Sequence, residues 1–292
     1  MRKYIIIIAV ALASVSCSKL VMDPLRLDIN GTYWTYSTDT QTARMAFPDD
    51  EHVSVLQWDL STNSCQAEHG TYELDGHRVL LSGNNWSRDV KLVRTFTHLK
   101  NSSTNRNMTP LKPVSHESLA GSVWTTMEND NLHLAFFDYD GTCLDATFIN
   151  ANRKEGKPYG WQWTRNDYSL SGSNLQVGAG VKATLYDDMM QVDTLTVLRT
   201  APALNAPGSS ALAGTVWRYQ SSGFPGIIIF TSGSTFTRVI VGSRVLYQFM
   251  NGTYQLNGTE LFMTDGEIKE TCQLSTDRFT FFEKTFVKVS LP

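Results

Sequence analysis

The residues whose types and spacing could perform chemistry are concentrated in the middle of the 292-residue chain. Asp138 and Asp140 directly follow the apolar run 134–137, and the acidic pair 187–188 follows a second apolar run at 183–186. Carboxylates are ligands that a hard cation such as Mg²⁺ prefers, and strand ends can bring them together. These aspartates are therefore the first candidates for a reaction centre.

The stretch 134–144 resembles the first motif of haloacid-dehalogenase-like phosphatases. That resemblance implies Asp138 as the nucleophile, Asp140 as the acid and base, and Mg²⁺ at the phosphate. The family requires a parallel sheet with crossover helices, whereas residues 142–184 show no helical periodicity and have too little length for such units. Comparable segments elsewhere in the chain indicate a strand, a turn and a strand, so this motif is predicted to be a hairpin turn.

Histidine and glycine patterns indicate no further reaction centre. Apart from Cys65 and His69, which are four positions apart, the six histidines show no i, i+2 or i, i+4 pairing with each other or with cysteine. One such pair lacks the further ligands that the spacing of a metal site requires. The chain contains no Gly-x-Ser-x-Gly elbow and no glycine-rich phosphate loop ahead of a helix. We therefore predict that the protein is not an enzyme and has no catalytic residue, metal or cofactor.

Aromatic side chains provide one candidate binding surface, for a ligand or a glycan. Tyr159, Trp161 and Trp163 alternate in sequence, so on a strand they share one face. Such a platform could stack on sugar rings or pack on an apolar partner, and the polar loop 152–158 beside it favours a surface position. The alternative is that these rings cover the core of their own domain.

Two sequence anchors recur three times and define the architecture. A Gly-x-x-Trp opening recurs at spacings of 90 and 93 positions, and a tyrosine ahead of a two-residue turn recurs in step. The anchors are Trp34, Trp124 and Trp217 for the opening, and Tyr72, Tyr168 and Tyr254 for the turn. Turn pairs at 75–76, 171–172 and 257–258 favour hairpins, the first and last of type I′. Sequential hairpins without crossover helices predict an all-β fold of three tandem small antiparallel meander barrels or sandwiches.

The opening, the meander and the Gly-Thr-Tyr-x-Leu hairpin together resemble the short lipocalin-like domains of bacterial lipoproteins. The resemblance implies that the opening tryptophan closes one end of each barrel and is structural. We expect barrels this short to be filled by their own side chains, so binding would use loops or an outer face. The predicted domains are 31–99, 119–200 and 212–292, separated by linkers at 100–118 and 201–211.

The N-terminus predicts export. Arg2 and Lys3 precede the apolar run 4–13, which is too short to span a bilayer, and small residues then lead to Cys17. This pattern resembles a bacterial lipoprotein lipobox. The resemblance implies a signal peptide at 1–16, lipidation of Cys17, a tether at 17–30 and an anchor in the envelope. We expect the anchor to lie in the outer membrane of a Gram-negative cell, on either its periplasmic or its surface face. The alternative interpretation is a plain secretory signal peptide with an incidental cysteine.

Charge and cysteine content narrow the choice of partners. The net charge is −3, without acidic or basic runs, which argues against nucleic acid. Each repeat contains one cysteine (Cys65, Cys143 or Cys272), and we expect all three to be buried and unpaired. The predicted function is a non-enzymatic cell-envelope module that binds a small molecule, a glycan or a protein. A structural role in an envelope complex is the second alternative and a phosphatase the third.

Overall fold

The computed structural model describes residues 29–61, 64–75, 78–83, 86–94, 99–101, 106–128, 131–149, 160–193, 195–201, 211–219, 225–241, 247–266 and 268–291. The predicted signal peptide 1–16, the lipidation site Cys17 and most of the tether lie outside these ranges, as does Tyr159. The described residues form 24 β-strands, and all their pairings in the sheets are antiparallel. The predicted all-β antiparallel class is therefore confirmed. No helix with the length and apolar character needed to span a bilayer occurs among these residues.

The first eight strands form a meander in which each strand pairs with the next. They are β1 (Thr32–Ser37), β2 (Gln41–Phe47), β3 (His52–Asp59), β4 (Ser64–Asp75), β5 (Arg78–Gly83), β6 (Trp86–Arg94), β7 (Leu99–Asn101) and β8 (Arg106–Pro110). Strand β8 returns to β1, where Pro110 lies opposite Trp34, so these strands form a closed ring. The segment 100–118, predicted to be a linker, thus contains β8 and the end of β7.

The next eight strands close into a barrel. They are β9 (Val123–Glu128), β10 (Asn131–Phe137), β11 (Thr142–Ile149), β12 (Gly160–Ser171), β13 (Asn174–Val177), β14 (Val181–Tyr186), β15 (Met189–Val192) and β16 (Leu195–Ala201). Strand β16 pairs with β9, with Leu198 opposite Thr125, and this ladder completes the barrel. A closed antiparallel barrel, as predicted from the hairpin pattern, is confirmed for this part of the chain.

The last eight strands follow the same order. They are β17 (Val216–Tyr219), β18 (Gly226–Phe230), β19 (Thr235–Val241), β20 (Tyr247–Asn257), β21 (Glu260–Asp265), β22 (Ile268–Gln273), β23 (Arg278–Phe281) and β24 (Lys284–Lys288). Strand β24 pairs with β17, whereas the described residues of β22 and β23 form no ladder. Strand β20 also pairs with β4, with Phe249 opposite Cys65, so the first and last sets share one sixteen-stranded sheet.

The Gly-x-x-Trp opening has the same structure in all three repeats. Its glycine has a positive φ of 66°, 79° or 77° at Gly31, Gly121 or Gly214, a conformation that other residues rarely adopt. The next residue's hydroxyl accepts a hydrogen bond from the indole Nε1 at 2.8–2.9 Å and donates one to a carbonyl before the glycine. The groups, in the order indole, hydroxyl and carbonyl, are Trp34, Thr32 and Ile29; Trp124, Ser122 and Leu119; Trp217, Thr215 and Leu212. Each indole is thereby fixed at a strand entrance with its polar atom satisfied.

The tyrosines of the second anchor also lie inside their own sets of strands. Each ring meets a phenylalanine edge-on, at centroid distances of 5.0, 4.9 and 4.8 Å. The pairs are Tyr72 with Phe47, Tyr168 with Phe137, and Tyr254 with Phe230. Such pairs stabilise a core beyond the area they bury. The arrangement is the one expected of structural anchors.

The hairpin that follows each tyrosine turns one residue later than predicted. Ser171 pairs with Asn174 and Asn257 pairs with Glu260, so glycine is the first of the two turn residues. Gly172 and Gly258 have φ 64° and 63°, and no positive φ occurs at the residue after either glycine. That combination defines a type II′ turn, which requires glycine only at its first position. The predicted type I′ turn at 257–258 is therefore wrong in both register and type.

One hydrophobic core is shared by all three sets of strands, in addition to a separate core inside each set. On β10, Leu132, Leu134 and Phe136 belong to the shared core, whereas Phe137 belongs to the barrel core with Ala135 packed against it. Both faces of this strand are thus covered, which explains why its sequence is almost continuously apolar. The first and last sets contribute, among others, Leu56, Trp58, Ile229 and Phe249.

His69 on β4 makes the stability of the fold dependent on pH. Its Nδ1 lies 2.8 Å from Ser54 Oγ, and its buried Nε2 has no hydrogen-bond partner among the described residues. Burial disfavours the imidazolium and lowers the pKa of His69 from 6.5 to about 4. The unfolded chain therefore binds this proton first, so the stabilisation is complete above pH 6.5 and is lost as the pH falls towards 4.

We expect His69→Gln to remove this part of the pH dependence. Between pH 7 and pH 4, the wild-type free energy of unfolding should fall by about 3 kcal/mol more than that of the variant. Urea unfolding at both pH values measures this difference, and comparing the two proteins cancels the carboxylates that they share. Equal losses in both proteins would show that His69 is not buried in the neutral form.

Candidate ligand cavity in the second barrel

The barrel formed by β9 to β16 has a cavity of about 340 Å³ that is open to solvent on one side. Its wall includes the small side chains of Ala135, Cys143 and Ala183, and it extends to the turn 178–180 between β13 and β14. Cavities of roughly 300–1,000 Å³ with mostly apolar walls are typical of small-molecule sites. The interior of this barrel therefore has the size and surface of a binding site for a small molecule.

Small residues at inward positions create the cavity. The three repeats align without gaps from the opening tryptophan to the third strand. Ala135 takes the position that Met45 and Ile228 occupy in the other repeats, and Cys143 takes the position of Phe236. The expectation that the short barrels are filled by their own side chains is therefore wrong for the second repeat. Comparing the aligned positions of the repeats would have revealed these small residues, although not that they face inward.

Polar groups are confined to a few positions in the wall. His133 Nδ1 lies 3.1 Å from Thr147 Oγ1, and His133 Nε2 lies 3.7 Å from a carboxylate oxygen of Glu128. Asp145 shares the inward face of β11 with Cys143 and has no hydrogen bond or ion pair with the described residues. Asp145 is exposed, but the neighbouring wall removes part of the hydration of its carboxylate, which raises the pKa of Asp145, and His133 partly opposes this effect. The described wall residues include no lysine or arginine.

The predicted aromatic platform lies on the opposite side of the barrel wall. Trp161 and Trp163 do share one face, with ring centroids 5.5 Å apart and an angle of 21° between the rings. That face packs against the shared core, where Trp161 meets Phe148 edge-on at 5.3 Å. Both indoles are only partly buried, but the buried Nε1 of Trp161 has no partner among the described residues. The rings contribute to the packing between the sets of strands.

The aspartates with a phosphatase-like spacing lie in a hairpin turn, as predicted. Asp138 N donates to the carbonyl of Thr142 at 2.8 Å, between the antiparallel strands β10 and β11. Arg165 lies 3.7 Å from Asp138 and 3.3 Å from Asp140, so both carboxylates are neutralised within the chain. The parallel sheet that the phosphatase resemblance requires does not occur among the described strands.

The acidic pair 187–188, a candidate for a reaction centre in the sequence, instead belongs to an ion cluster that joins the first two sets of strands. Arg44 Nη2 of β2 lies 2.8 Å from Asp187 and 3.0 Å from Asp188, in the turn between β14 and β15. Arg199 of β16 also pairs with Asp188. Asp187 has φ 56°, in the left-handed region that turn residues can adopt. Residues far apart in sequence meet here, so no local pattern could have identified the cluster.

Comparisons with known proteins leave the family open. No family model matches the sequence, and no curated protein is similar to it. Among solved structures, the beta clamp of Helicobacter pylori bound to a DNA ligase peptide is 8% identical, with 89% of this chain and 91% of the clamp aligned and a TM-score of 0.15. A protein with unknown function from the DUF3598 family of Nostoc punctiforme is 11% identical over 81% of this chain and 94% of its own, with a TM-score of 0.18. Likenesses this weak support no inference about function.

Proposed function

We propose that this protein is a non-enzymatic binding protein of the bacterial cell envelope that holds a small, mainly apolar ligand inside its second barrel. The cavity of about 340 Å³ is the observation that carries the proposal. Its wall is mainly apolar with a few polar groups, the combination that orients a ligand in such sites. The three sets of strands act as lipocalin-like units, with a lipid on Cys17 anchoring the chain.

Two features of the described residues favour this function over the alternatives. A glycan platform at Trp161 and Trp163 would need free ring faces, whereas these rings pack against the shared core. A phosphatase would need free carboxylates at Asp138 and Asp140, whereas both pair with Arg165. A purely structural role in an envelope complex would give no reason for an internal space of this size.

The proposed function is tested by filling the cavity with the larger residues that other repeats have at the same positions. We expect the double variant Ala135→Met/Cys143→Phe to bind the neutral fluorophore N-phenyl-1-naphthylamine about tenfold more weakly than the wild type, a loss of about 1.4 kcal/mol. The new side chains occupy the space while keeping an apolar interior, so the fold should be retained. Fluorescence titration measures the binding, and thermal unfolding verifies the fold.

Lys269→Phe is the matched control. Lys269 is exposed on β22 of the third set of strands and does not line the cavity, so this variant adds an aromatic ring without filling the cavity. This variant should bind the fluorophore as the wild type does. Unchanged binding by the double variant, or a wild type that binds no fluorophore, would refute the proposed function.

A further inference from the structure

The inward position of Asp145 has a counterpart in the third repeat that carries the opposite charge. The gapless alignment places Arg238 of β19 where Asp145 lies in β11. Arg238 Nη2 forms an ion pair at 2.5 Å with Asp265, whose side chain is fully buried. In the third repeat, the charged residue at the position equivalent to Asp145 is thus neutralised by a partner from the same chain.

The second repeat lacks that partner. Counted from the anchor tyrosine, Asp265 corresponds to Ala179, which lines the cavity and carries no charge. Asp145 therefore faces an open space where the third repeat has a complete ion pair. Asp145 is an exposed residue of this wall, so its carboxylate can be reached from solvent. A cationic head group that donates hydrogen bonds to it could pair with it there while an apolar body enters the cavity.

The remaining polar groups of the wall do not supply this cation. Glu128 already has His133 at 3.7 Å, and His133 also contacts Thr147. No lysine or arginine occurs among the described residues of the wall. Asp145 is thus the carboxylate of the wall that has neither a hydrogen bond nor an ion pair with a described residue.

We infer that the ligand of this cavity is a small amphiphile with a cationic nitrogen head group, which pairs with Asp145 while its apolar body lies against Ala135, Cys143 and Ala183. The inference rests on the proposed function, because it assigns a chemical class to the ligand of the same cavity. The volume of about 340 Å³ corresponds to about eleven groups the size of a water molecule, at ~30 Å³ each. A primary ammonium on a chain of about eight carbons therefore fits.

Three ligands that differ only in their head group provide the test. Octylammonium, 1-octanol and octanoate compete with N-phenyl-1-naphthylamine for the full-length protein at pH 8, where the amine is charged. We expect octylammonium to bind about tenfold or more tightly than octanol, because its hydrogen bond to Asp145 is charge-assisted, and octanoate to bind most weakly. Asp145→Asn should abolish the preference for the amine and leave octanol binding unchanged.

The matched control is Asp167→Asn, which removes the same charge from an exposed position on β12 that does not line the cavity. It should keep the preference for the amine. The inference is overturned if octanol or octanoate binds as tightly as octylammonium, or if the preference survives in Asp145→Asn. In those cases, binding of the fluorophore still supports the proposed function. If neither the fluorophore nor any amphiphile binds, both proposals fail.

Discussion

Replacing Asp188 by asparagine is expected to lower the free energy of unfolding by about 3–5 kcal/mol, because it leaves the buried Arg44 and the largely buried Arg199 without their shared carboxylate. Arg44 and Asp188 are each 8% exposed, so water cannot replace the lost charge. Asp187 remains beside Arg44 at 2.8 Å, but its side chain is 38% exposed, and Arg199 is left without the carboxylate that neutralises it. The measurement is urea unfolding of the variant and the wild type at neutral pH.

Asp277→Asn is the control for this prediction. Asp277 also forms an ion pair, with Arg278 at 3.0 Å, but both side chains are more than half exposed. Surface pairs of this kind contribute little because solvent screens them and their side chains lose entropy on pairing. The control should therefore unfold close to the wild type. If Asp188→Asn did the same, the cluster would not hold the first two sets of strands together.

The sequence predicted features of this fold that depend on local residue patterns. The glycine, the hydroxyl and the tryptophan of each opening lie within four positions of one another, so their geometry recurs wherever their spacing does. Hairpins are equally local, and the turn at Asp138 was predicted correctly from the comparable segments. The error at Gly172 is a shift of one residue, since alternation alone does not say which turn residue has the positive φ.

Features formed between distant residues were missed. Pro110 pairs with Trp34, and this closure gives strand structure to a segment whose asparagines, serines and prolines predict a linker. Alternation placed Trp161 and Trp163 on one face, but the register with Phe148 decides that this face meets the shared core. The cavity is an intermediate case, because Ala135 is visibly small in sequence but its inward direction follows only from the barrel.

Replacing Trp124 by alanine is expected to lower the free energy of unfolding by about 3–5 kcal/mol. The indole is fully buried against Leu119, Phe137 and Leu185, and its Nε1 donates to Ser122 Oγ at 2.8 Å. Alanine leaves a cavity in a barrel that already contains one, so the surroundings cannot close around it. Trp124→Phe should lower the free energy of unfolding by less, because an aromatic ring still fills most of the space and Ser122 retains its hydrogen bond to the carbonyl of Leu119.

The form of the unfolding transition distinguishes linked units from independent ones. Domains joined only by linkers would unfold separately, and Trp124→Ala would then split off an early transition for the second barrel alone. Here the shared core, the ladder between β4 and β20 and the pairing of Arg44 with Asp188 connect all three sets of strands. We therefore expect a single cooperative unfolding transition when unfolding is monitored by far-ultraviolet circular dichroism. The midpoint of the whole transition should shift in Trp124→Ala, and likewise in Trp217→Ala. Two separated transitions would show that the contacts between the sets contribute too little to couple their folding.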